Sequence, residues 1–140
     1  MKKPELLAPA GSFEKAKVAF MYGADAVYCG TASLSLRSRA EVDDNDLEKT
    51  IKYAHSIGKK VYAALNIYAW DTNYEEIEKQ VKMLDEVHVD AIIASDGGVI
   101  QKIREIAPNI EIHVSTQANV VSYHAAKFWY DNGAKRVILG

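Results

Sequence analysis

The sequence predicts an α/β fold in which parallel strands alternate with helices. Three observations lead there. Short apolar runs alternate with segments whose apolar residues recur at helical spacing along all 140 residues. Two strands are apolar on one face and polar on the other. In 110–119, Ile110, Ile112 and Val114 share one face, while Glu111, His113, Ser115 and Gln117 share the other; Val61, Ala63, Leu65 and Ile67 oppose Tyr62, Ala64, Asn66 and Tyr68 in the same way. A central strand of an open doubly wound sheet is covered on both faces and reads apolar on both. Finally, Ala8-Pro9-Ala10-Gly11-Ser12 carries a single Gly and lacks the phosphate fingerprint of that open alternative. A (β/α)8 TIM-like barrel, incomplete, is therefore expected: about five βα units plus a sixth parallel strand.

The elements follow in order. Leu6–Ala8 is a brief strand stopped by Pro9-Ala10-Gly11. Ser12 caps a helix to Tyr22 with Ala16, Ala19 and Phe20 on one side, and Gly23 ends it. Ala26–Cys29 is the second strand, and 31–44 a polar loop carrying Arg37 and Arg39. Asn45 with Glu48 resembles a capping box for a helix bearing Leu47, Ile51, Ala54 and Ile57, closed by Gly58. Val61–Tyr68 is the third strand. Thr72 with Glu75 reads as a second capping box, before a helix with Ile77, Val81, Leu84 and Val87. Ala91–Ala94 is the fourth strand, and Asp96-Gly97-Gly98 leads into a helix that stops before Pro108. The 110–119 stretch is strand five. A helix over 122–132 is expected to bury Phe128 and Trp129, Gly133 caps it, and 136–139 is strand six. The junctions at Gly23-Ala24-Asp25-Ala26-Val27, Val89-Asp90-Ala91-Ile92 and Gly133-Ala134-Lys135-Arg136-Val137 echo one another.

With 49% hydrophobic residues the chain is expected to form one compact domain, residues 1–140. A full barrel takes about 250 residues, so these residues are expected to be the first part of one. Six of eight strands would leave two open edges, and open edges pair with other chains. A homo-oligomer formed through those edges is the expectation. Net charge is −2 and no basic stripe marks a nucleic-acid footprint. No apolar run is long enough to span a bilayer, and Leu6-Leu7-Ala8 is too short for a signal-peptide core, so a cytoplasmic location without membrane contact is expected. Cys29 stands alone, which excludes an intrachain disulfide and any Cys-pair metal motif; with no His-Glu-x-x-His either, no metal site is expected.

A barrel places its site at the C-terminal ends of the strands. His113 reads as a general base or metal ligand on the one hand, or as a structural histidine on the other, evenly weighted. Ser115 lies two residues on, roughly 6.6 Å along a strand, too far for a Ser115–His113 dyad. Asp96 is a candidate carboxylate beside strand five and, with slightly better odds, a helix cap. These three residues form the candidate catalytic set. Asn66 and Gln117 suit substrate orientation, and Arg37 and Arg39 suit a carboxylate or phosphate. Glu5 reads as structural, at the barrel bottom.

Three stretches carry a family resemblance: Glu5-Leu6-Leu7-Ala8-Pro9-Ala10-Gly11-Ser12, Gly23-Ala24-Asp25-Ala26-Val27-Tyr28, and His113-Val114-Ser115-Thr116-Gln117-Ala118-Asn119 with Ala125-Ala126-Lys127-Phe128-Trp129. Together they resemble the N-terminal part of the peptidase U32 family, collagenase-like proteases. The resemblance implies a TIM-like barrel and, first, a hydrolase acting on peptide bonds. The alternative it implies is a factor for oxygen-independent hydroxylation of RNA or the ubiquinone ring, with iron–sulfur clusters and a prephenate-derived hydroxyl donor. A scaffold portion inactive by itself is the third reading. Peptide or RNA is accordingly the expected substrate. The resemblance places cluster cysteines C-terminal to these residues, so no cofactor is expected here, whereas an iron–sulfur cluster is possible in the full-length parent.

Overall fold

The computed structural model describes residues 3–31 and 41–140. Strands β1 (Leu7–Pro9), β2 (Ala26–Thr31), β4 (Lys60–Ala64), β5 (Ala91–Ala94), β6 (Glu111–Val114) and β7 (Ala134–Val137) form one parallel sheet in that order, and the two-residue β3 (Glu41–Val42) pairs beside β2. Helices α1 (Phe13–Met21), α2 (Asp44–Ser56), α3 (Tyr74–Glu86), α4 (Gly97–Ile106) and α5 (Tyr123–Asp131) fill the connections. Parallel neighbours joined through helices are the barrel series that the sequence predicts, with β1 and β7 as its outer strands.

The period-two alternation explains the layering. Val61, Ala63, Ile92, Ile112 and Val114 face the helices and join Leu47, Ile51, Ile77, Leu84 and Ile103 in the main core. Ala26, Tyr62, Ala91 and Ile93 face the other way and form a smaller cluster with Leu7, Tyr28 and Ile138 on the concave side.

The repeated junctions have a physical reason. Asp25 N–H donates to the Leu6 carbonyl at 2.8 Å, and its carboxylate accepts from Leu6 N–H at 2.9 Å. Asp90 does the same to Val61, at 3.1 and 2.8 Å. Each aspartate thus pins the start of the neighbouring strand and sets its register. Gly23, Gly58 and Gly133 end their helices with positive φ; after α3 the same place is held by His88 at φ 59°.

Several boundaries differ from expectation. The N-cap of α2 is Asp43, whose carboxylate accepts from Asp46 N–H, so the helix begins before Asn45. Thr72 lies inside a 3₁₀ turn, Asp71–Asn73, and is not a cap. Ladder pairing of the third predicted strand stops at Ala64, because 65–70 leaves the sheet to form the rim. The last strand starts at Ala134, two residues early, past a register shift opposite Ile112/His113. Phe128 is 56% exposed, not buried; α5 packs through Ala125, Ala126 and Trp129, and the outer side of Phe128 has no covering element among the described residues.

Candidate functional site

The mouth of the concave face is built where strands end and loops begin. Ser115 follows β6 and caps a 3₁₀ turn at Thr116–Ala118, which brings Gln117 back over the strand end. Asn66 follows β4 after Leu65, whose N–H still donates to the Ile93 carbonyl at 2.8 Å. Asn66 Nδ2 donates to Gln117 Oε1 at 2.9 Å, and Ser115 Oγ donates to the same oxygen at 3.2 Å. Three neutral polar side chains therefore converge on one point.

Two cavities meet there. An inner one of about 190 Å³ is lined by Leu7, Tyr28, Asn66, Ile93, Ser115 and Gln117, among others. An outer one of about 350 Å³ is lined by Asn66, Tyr68, Trp70, Ser95, Asp96 and Gln117, among others. Asn66 and Gln117 line both, so their hydrogen bond is the partition between them.

Asp96 sits on the outer cavity and caps α4: its Oδ1 accepts from Val99 N–H at 2.9 Å and from the Tyr74 hydroxyl at 3.3 Å. Burial, then the Asp96 charge, pushes the Tyr74 phenol up. A Cβ on Gly98 would collide with the Tyr74 oxygen, so glycine there keeps this contact possible.

His113 lies below the mouth, 1% exposed. Its ring meets the Tyr62 ring edge-on at 4.6 Å, and its Nε2 is 3.3 Å from Glu111 Oε2. Nδ1 is buried without a hydrogen-bond partner among the described residues. Burial pushes the imidazole pKa down, against the pull of Glu111. Neutral His113 donating from Nε2 to Glu111 is the tautomer that fits these contacts. No hydrogen bond joins Ser115 to His113 among the described residues: Ser115 Oγ turns to Gln117 and His113 to Glu111.

Beside His113 lies a group of which the sequence reading singled out only Glu5, as a structural residue at the barrel bottom. Tyr62 Oη sits 3.0 and 2.9 Å from the two Glu5 oxygens, and Arg136 Nη1 pairs with Glu5 Oε1 at 2.7 Å. The pair joins residues 131 positions apart. Burial alone would raise the Glu5 carboxyl, but hydrogen bonds from Arg136 and Tyr62, with the Arg136 and Lys60 charges, hold it below its ordinary value. Burial, then Glu5, pushes the Tyr62 phenol up to about 12. Alternation placed Tyr62 on this face. Nothing local signalled Arg136, whose partner sits at the opposite end of the chain.

Catalytic candidates Asp96, Ser115 and His113 are thus spread over the outer cavity, the inner cavity and the floor, whereas substrate-binding candidates Asn66 and Gln117 meet directly. Arg37 and Arg39 lie outside the described residues. An iron–sulfur cluster does not fit the residues present. The lone thiol, Cys29, is buried and pushed up to about 12, and no cluster of His, Cys, Asp and Glu suited to a metal ion occurs among the described residues.

The family model of peptidase family U32 matches residues 11–140. tRNA hydroxylation protein P1 of Bacillus subtilis is 41% identical over 139 residues, 99% of this chain and 33% of that protein. tRNA hydroxylation protein P of Haemophilus influenzae is 46% identical over 138 residues, 98% of this chain and 30% of that protein. This chain therefore spans about a third of the length of these relatives. Among solved structures, a U32 peptidase superposes with TM-score 0.78 at 14% identity, covering 99% of this chain and 61% of that one. The 3-hexulose-6-phosphate synthase of Salmonella typhimurium gives TM-score 0.72 at 18% identity, covering 97% and 63%. At those identities the structures speak to the barrel fold alone. With 130 consecutive residues matched by one family model, the chain belongs to peptidase family U32.

Proposed function

We propose that this chain forms the barrel portion of a tRNA hydroxylation protein. One observation carries the reading: identities of 41 to 46% to relatives of that name along 98 to 99% of this chain. The site chemistry supports it. The mouth offers neutral amide and hydroxyl groups that orient a polar substrate, and the Ser115 hydroxyl is bonded to the Gln117 amide, with no base bonded to it among the described residues. The peptidase reading, first implied by the family resemblance, has less support than this alternative.

In this reading Asn66, Gln117 and Ser115 position the group to be modified at the strand ends, Asp96 holds the α4 terminus against them, and His113 supports the wall from below. Any iron–sulfur cluster would need cysteines beyond these residues. The protein would act in the cytoplasm, with tRNA; no described helix is long and apolar enough to cross a membrane. Pairing of the β1 and β7 edges with a second copy belongs to the same proposal, and sedimentation as a monomer would count against it.

The test is genetic and chemical. Deleting the gene and digesting total tRNA should remove a nucleoside one oxygen heavier than its precursor, as read by mass spectrometry, and the full-length gene should restore it. Unchanged tRNA nucleosides, with peptide cleavage by the purified full-length protein, would replace this reading with the peptidase.

A further inference from the structure

Two large aromatic side chains at the mouth have no role in the core. Tyr68 is 78% exposed and Trp70 is 74% exposed, and both line the outer cavity between β4 and α3. Single exposed apolar residues are ordinary on protein surfaces. These two differ because they share one concave wall with the Asn66–Gln117 pair. The exposed Met21, Tyr22 and Phe128 border neither cavity.

Trp70 is also held by its backbone. Its N–H donates to Asn73 Oδ1 at 2.9 Å, and its carbonyl accepts from Asn73 N–H at 2.8 Å. The main chain is clamped by a 3₁₀ turn while the indole faces solvent. The main chain that carries the ring therefore needs little further ordering when a flat partner binds.

The rest of the wall narrows the partner. Asn66, Gln117 and Ser95 present neutral donors and acceptors, and the Asp96 carboxylate already serves Val99 N–H and Tyr74. Among the described residues, no Lys or Arg lines this cavity, so its described wall is neutral apart from Asp96. Flat apolar faces beside neutral amides match a nucleobase, which stacks through its ring and hydrogen-bonds through its edge. The volume of about 350 Å³ equals the share of about twelve waters, room for one base.

We propose that Tyr68 and Trp70 form a stacking platform for one unstacked nucleobase of RNA, with the Asn66 and Gln117 amides facing its edge. The platform rests on the tRNA reading above and names how that substrate is held.

Fluorescence anisotropy of labelled, unmodified tRNA with the full-length protein tests it directly. Trp70→Ala and Tyr68→Ala should each weaken binding about fivefold or more, as loss of one stacked base does. Trp70→Phe should keep most of the affinity, and both side chains are exposed enough that folding is retained. A fully paired RNA duplex should bind indifferently to Trp70. Wild-type affinity for tRNA in both alanine variants overturns the platform, even where the nucleoside assay upholds tRNA hydroxylation. Trp70-dependent tRNA binding without any hydroxylation upholds the platform and removes only the functional reading. Trp70-dependent capture of an unstructured peptide that tRNA does not displace also overturns it.

Discussion

Replacing Tyr62 with Phe isolates one hydroxyl at the floor of the concave face. Phe keeps the buried ring and its edge contact with His113 and removes the bond to Glu5. A hydrogen bond to a charged group is worth about 1.5–3 kcal/mol. The Glu5 side chain is 26% exposed, so water screens it and the low end applies, about 1.5 kcal/mol. With a urea slope near 2 kcal/mol per molar, the midpoint should fall by about 0.7 M at pH 7. The pH dependence supplies a second reading. Glu5 has a lowered folded pKa, so its contribution is present above the unfolded value near 4.3 and is lost as pH falls through the folded one. Tyr62→Phe raises the folded value toward the ordinary one and should flatten the acid limb. In a Glu5→Gln background the hydroxyl faces no charge, so the Tyr62→Phe effect should shrink to about 0.5 kcal/mol. A midpoint unchanged by Tyr62→Phe, or an equal loss in both backgrounds, would refute the role given to this bond.

Three further outcomes follow from other parts of the fold. His113 has a lowered folded pKa, so the unfolded chain takes up its proton first, and stability should decline as pH falls below about 6.5 toward the folded value; His113→Leu should remove that decline in pH-resolved urea titrations. His88→Gly should stabilise the chain by about 1 kcal/mol, since a side chain at φ 59° carries left-handed strain that glycine lacks; an unchanged thermal midpoint would contradict this. Cys29, buried and pushed up to about 12, should resist iodoacetamide at pH 8 and react fully in denaturant; mass spectrometry decides.

What could be read from the sequence was whatever depends on local period. Alternation at Val61–Tyr68 and 110–119 assigned both faces of the sheet correctly, because each face meets one environment. Ser12 was readable as a cap because an N-cap acts within three residues, and it accepts the Lys15 N–H. Asp43 competed with Asn45 inside one acidic run, and spacing could not rank them. Phe128 failed for a different reason: helical spacing finds the apolar stripe of α5 but not what covers it. At the site, Asn66 and Gln117 were identifiable one by one from their strand ends. Their contact depends on how far the 3₁₀ turn swings Gln117 back, which period does not encode. The Glu5–Arg136 pair spans the chain and has no local signature.

The partition between the two cavities consists of two carboxamides and a hydroxyl, none of which titrates in the physiological range. Among the described residues, Glu5, Arg136, Glu111 and His113 form an ionisable group at the floor, separate from Asp96 on the outer cavity. Burial holds the His113 pKa below its ordinary value, so acidification, not a shift across neutrality, charges the floor, while the wall between the cavities carries no titrating group. The shape of that wall is thus set by side-chain torsions and neutral hydrogen bonds, on which acidity and salt have little direct hold.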